Sequence, residues 1–92
     1  MRTSWPSSTE LTKAVLVVLV KLGGSGTVEQ LDKEVTGLFD LSDDLKSKMR
    51  SNNRSEIQYR LAWVRTRAKQ KGLITRESPK FWKITNDGRK LA

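Results

Sequence analysis

The chain has 92 residues and contains neither Cys nor His. That excludes disulfides, thiolate and imidazole metal ligands, and every His-dependent triad. A chain of this length makes one small domain, taken as residues 1–92, with a modest core, and its formal charge of +8 favours a polyanionic partner.

Residues 1–6 read as a flexible N-terminal arm. Ser7 and Glu10 have the spacing of a capping box, which predicts a first helix beginning near Ser8. Leu11, Val15, Val18, Leu19 and Leu22 share one face of it, and Ala14 to Val20 is apolar nearly all round. This helix should therefore be central, ended by Gly23 and Gly24. The apolar run is far too short to cross a bilayer, and no signal peptide can be made of the residues before it. The expectation is a soluble, cytoplasmic, nucleoid-associated protein without membrane contact.

Ser25 to Thr27 either adds a short strand or leads straight into a second helix, capped by Thr27. Val28, Leu31, Val35 and Leu38 give that helix its apolar side. Phe39 and Leu41 carry apolar character into the connection, and Ser42 caps a short segment holding Leu45 and Met49. Asp40, Asp43 and Asp44 together resemble a metal cluster in composition. Asp43 and Asp44 suit a helix N-terminus better, so no metal or cofactor is expected.

After the polar break Ser51-Asn52-Asn53 comes a long helix, residues 54 to 71. At about 100° per residue, Ile57, Leu61, Val64 and Ala68 form its core stripe. Ser55, Gln58, Tyr59, Ala62, Thr66, Lys69 and Gln70 lie about opposite, with Arg65 and Trp63 at the flanks of this outer side. Gly72 stops the helix. Leu73 to Arg76 and Phe81 to Ile84 read as two strands joined by a turn at Glu77 to Lys80, and Thr85 caps a last helical turn, Asn86 to Leu91. The order helix, helix, short helix, long helix, hairpin, short helix predicts an α+β fold, mostly α: a winged helix-turn-helix with a two- or three-stranded antiparallel wing.

The charge is unevenly spread. Residues 1 to 45 hold four bases and seven acids, whereas residues 46 to 92 hold fourteen bases and three acids. Segregation of this kind is the footprint of a nucleic-acid binder. The major groove admits one α-helix, and base edges are read by side chains projecting from it. On residues 54 to 71, Arg65 suits the O6 and N7 acceptors of guanine, and Gln58 the N6 and N7 edge of adenine. Thr66 and the methyl of Ala62 suit a thymine methyl, and Tyr59 a phosphate or sugar. Arg50, Arg54, Lys69, Arg76, Lys80 and Lys83 read as phosphate contacts. Asn53, just before the helix, and Ser55, on its outer side, complete the DNA-facing set. Trp63 and Trp82 read first as packing residues at a helix–hairpin junction, and nothing in the sequence explains Trp5.

Three other readings carry less of the pattern. A winged-helix protein–protein interaction module would use the same fold. An RNA binder would have to read A-form grooves too narrow for helix insertion. An enzyme lacks His, Cys and paired carboxylates in a pocket-forming context. There is no obvious extra apolar face for a dimer, so a monomer is expected.

Residues from about 10 to 91 resemble the N-terminal winged-helix domain of Mrr-type restriction-system proteins. The features that carry the resemblance are Leu22-Gly23-Gly24, the stretch Leu38 to Leu45 with Leu41-Ser42-Asp43-Asp44, Asn53, and Arg60-Leu61-Ala62-Trp63-Val64-Arg65. They continue with Lys71-Gly72-Leu73-Ile74 and Trp82-Lys83-Ile84-Thr85-Asn86-Asp87-Gly88. The resemblance implies a winged helix-turn-helix and binding of double-stranded DNA. In that family the domain typically precedes a nuclease domain that cleaves modified, often methylated, DNA. No nuclease motif is found here, so cleavage is not carried over. The expectation is a targeting module, either excised or free-standing, whose partner is a nuclease domain or subunit. For a modified base, Trp63 and Tyr59 are the candidate contacts.

Overall fold

The structure, a computed structural model, describes residues 2–51 and 54–92, with the backbone alone at 49, 50, 51 and 54. Helix α1, Ser8–Lys21, starts at the expected capping box: Glu10 N–H donates to Ser7 Oγ at 3.1 Å, and Ser7 N–H to Glu10 Oε1 at 3.3 Å. Its apolar girth is used on several sides, with Leu11, Val15, Leu16, Val18 and Leu19 all buried. Strand β1, Ser25–Thr27, leads into α2, Val28–Leu38, where Thr27 and Gln30 form a second capping box. The short α3, Asp43–Ser47, is capped by Ser42 and carries Asp43 and Asp44 in its first turn.

Strands β2, Met49–Ser51, and β3, Arg54–Ser55, pair with each other where the sequence suggested only a break. Helix α4, Glu56–Gln70, follows with a third reciprocal cap between Ser55 and Gln58. Gly72 ends it at φ +75°, a left-handed conformation that side chains with a Cβ rarely adopt. Strands β4, Ile74–Ser78, and β5, Phe81–Ile84, form the wing, and α5, Asn86–Leu91, closes the fold. Gly88 of α5 lies so close to the Leu73 carbonyl that a Cβ there would collide with backbone. The sheet is three-stranded, antiparallel and ordered β1-β5-β4, with a bulge between Arg76 and Ser78.

One cluster of buried side chains unites α1, α2, α4 and the wing. Ile57, Leu61, Val64 and Ala68 all lie in it, so the phase assigned to the long helix is correct. Trp82 and Ile84 face the same cluster from β5, as period-two alternation requires. Leu38 departs from expectation and is exposed, because the chain turns extended at Phe39 and buries Leu41 instead.

The segment before α1 is seated against the fold. Arg2 makes a bridge to Leu41, with Ser42 N–H donating to Arg2 O at 2.7 Å. Arg2 Nη1 donates to Glu10 Oε2 at 2.7 Å. Pro6 is fully buried, and the half-buried Trp5 sits beneath the Arg60 guanidinium, 4.9 Å from the ring centroid. An aromatic and a proline next to the first helix supply enough apolar surface to seat the segment.

Candidate nucleic-acid interface

Helix α4 turns one face to the core and presents another to solvent. Along its middle the outer side holds the half-buried Tyr59 and Ala62, the exposed Trp63 and the exposed Thr66. These four line a depression of about 310 Å³. Ala62, the smallest of them, is its natural floor. Thr66 Oγ1 donates to the Ala62 carbonyl at 3.0 Å, so the hydroxyl proton is committed to the helix and a lone pair remains to accept. Trp63 is 52% exposed, which corrects its reading as a packing residue.

Ala62 and Thr66 also line a second cavity, of about 330 Å³, between α4 and the wing. Its other walls are Arg76, Pro79, Lys80 and Trp82 of the wing, with Val28 and Glu29 from the start of α2. The wing is held there by two contacts. Val28 N–H donates to the Lys80 carbonyl at 2.9 Å, and β1 pairs with β5 so that Gly26 opposes Trp82. Arg76 is braced along the hairpin, donating through Nη2 to Pro79 O at 2.8 Å with its guanidinium 5.7 Å from the Trp82 ring centroid. The Trp82 indole nitrogen is buried and makes no hydrogen bond among the described residues. Val28 and Glu29 were not among the expected site residues; the pairing of β1 with β5 brings them in, and only the short Ser25–Thr27 run hinted at it.

The structure brings together Tyr59, Ala62, Thr66, Arg76 and Lys80, with Trp63 at their edge. Arg65 shares one wall with them, whereas Lys83, Lys69, Gln58 and Ser55 stand apart. Lys83 opposes Thr75 and Ser25 on the face of the sheet away from Trp82, so it points away from the cavity beside α4. Lys69 is exposed on α4 but lines neither depression. Gln58 Oε1 accepts from Ser55 N–H at 3.0 Å, so both residues serve the helix cap. Asn53 and the side chains of Arg50 and Arg54 lie outside the described residues.

Arg65 requires the largest correction. It was expected at the edge of the exposed side, with a free fork for guanine. Its side chain is only 7% exposed and is ion-paired through Nη1 with Asp32 Oδ1 of α2. At the flank of α4, the guanidinium meets the second helix and its charge is neutralised before it reaches solvent. One edge of it still forms part of the cavity wall.

The five helices of the described residues and a three-stranded antiparallel sheet, whose β4–β5 hairpin forms the wing, define an α+β domain of the winged helix-turn-helix class. The family model of the Mrr N-terminal domain matches residues 9–92, and the chain belongs to that family of restriction-system domains. The match is to an N-terminal domain and not to a nuclease domain. No curated protein is similar enough to the chain to count as a relative. Among the described residues, no helix is long and apolar enough to cross a membrane.

Proposed function

We propose that the domain is a targeting module for double-stranded DNA, with α4 entering the major groove and the wing lying on the sugar–phosphate backbone. The observation that carries this reading is the channel between α4 and the wing. On the α4 side it is small and uncharged at Ala62 and Thr66, with Arg65 already ion-paired, and its wing side is cationic at Arg76 and Lys80, which outnumber the one carboxylate in the lining, Glu29. Small side chains let a helix approach base edges closely, and the cations beside them meet phosphates. With Arg65 committed to Asp32, direct reading falls to Tyr59, Ala62, Trp63 and Thr66. Ala62 and Thr66 suit pyrimidine methyl groups, and the exposed Trp63 and Tyr59 are the surfaces on which a modified base would register. Catalysis, in this reading, belongs to a separate nuclease domain or subunit.

The test is binding of a labelled duplex followed by fluorescence anisotropy. Lys80→Glu and Ala62→Glu should each weaken binding by about tenfold or more, while thermal unfolding stays near that of the parent chain. Duplex RNA should bind far less well, because its deep major groove excludes a helix. Equal affinity for both duplexes, or indifference to both substitutions, refutes the assignment.

A further inference from the structure

A second groove runs between α1 and the C-terminal half of α4, on the side of α4 that faces away from the wing. It has a volume of about 330 Å³. Its floor is apolar, built by Leu16, Ala68 and Leu73, and Leu91 of α5 stands at its end. Its rim is basic. Arg67 and Lys71 edge it from α4 and Lys13 from α1, and all three are exposed. None of them pairs with an acid among the described residues; Lys13 instead donates to the Leu91 carbonyl at 2.7 Å. The apolar surface continues along α1. Lys13, Val17 and Val20 fall within about 60° of one another on the helix, and Val17, Val20 and Leu91 are 37%, 42% and 54% exposed.

We propose that this groove docks an acidic amphipathic helix from a partner protein, as a site distinct from the channel beside the wing. The reasoning is charge complementarity around an apolar trough. A helix with Leu-type residues at i, i+3, i+4 and i+7 fills such a floor, and its flanking carboxylates meet Lys13, Arg67 and Lys71. A nucleic-acid duplex satisfies the rim but leaves the floor unfilled, since it presents no protruding apolar ridge. A second copy of this chain fits poorly, because a two-fold pairing sets the same three cations against themselves.

A displayed library of segments about 16 residues long, near the least length that holds a helix, tests this. Selection uses the full chain, with counter-selection against the doubly reversed Arg67→Glu, Lys71→Glu chain. Acidic amphipathic sequences should be enriched, and a synthetic one should lose at least tenfold in affinity on the reversed chain. Amide shifts should concentrate at Thr12, Leu16, Ala68 and Leu73. Matching thermal unfolding of the two chains confirms that the reversed surface remains folded. Saturating duplex DNA should leave the peptide bound. Enrichment without acidic character, shifts centred on Ala62 and Lys80, displacement by the duplex, or a dimer in sedimentation at micromolar concentration would each overturn the proposal.

Discussion

Arg65 shows how one contact can reverse the meaning of a side chain. On a helical wheel it belongs to the flank of the exposed side, and a guanidinium there is free to meet a base. Burial against Asp32 turns it into a strut between α2 and α4. Removing the arginine takes away a charge-assisted hydrogen bond between two helices, at a cost of about 1.5–3 kcal/mol. Arg65→Ala should therefore lower stability by an amount in that range, measured by urea denaturation, where a surface arginine would cost almost nothing. Stability within about 0.5 kcal/mol of the parent would show that the strut carries no weight. Glu10 offers a gentler probe. The Arg2 guanidinium holds its carboxyl below the ordinary carboxylate value, helped by the Ser7 N–H. A group whose pKa is lowered on folding contributes stability above its unfolded value and loses that contribution as pH falls through the folded one. Acid titration followed by Trp5 fluorescence should thus show a loosening below the usual glutamate range, and Glu10→Gln should remove that step.

The elements were largely legible, because each boundary has a local chemical cause. Ser7 with Glu10, Thr27 and Ser42 cap their helices as their types and spacings predicted, and Gly72 ends α4 in the conformation glycine favours. The core stripe of α4 follows from periodicity alone. Leu61, 1% exposed, should cost about 2–5 kcal/mol when changed to Ala, and a loss below about 1 kcal/mol would mean that the helix is rotated from the position described. What the sequence could not show is which helix meets which. The pairing of Arg65 with Asp32 spans 33 positions in the chain, and the seating of Arg2 beside Leu41 depends on how α2 ends. Likewise the pairing of β2 with β3 involves strands of three and two residues, too short to leave a periodic trace. Of the expected site, the small and aromatic face of α4 and the cations at Arg76 and Lys80 converge, whereas Lys83 is turned aside by strand alternation and Gln58 serves its cap.

At the scale of the molecule, the charge split of the sequence becomes a division of surfaces. The second half of the chain builds α4 and the wing, and those elements carry seven of its fourteen cations, four on α4 and three on the β4–β5 hairpin. If about six phosphates are neutralised on binding, log K should fall with log salt at a slope near −5. A slope shallower than about −2 would leave too few phosphate contacts for the proposed footprint. The reversed Arg67→Glu, Lys71→Glu chain separates the two surfaces, since its effect on the α1–α4 groove need not follow its effect on the duplex. The strut between α2 and α4 has one more consequence. Because the docking angle of the probe helix is secured from inside, at a residue that projects toward its neighbour, positions 62, 63 and 66 form a cassette that can be exchanged without disturbing the frame. Randomising those three places should yield proteins with altered targets and unaltered melting curves, which makes the domain a chassis for retargeting.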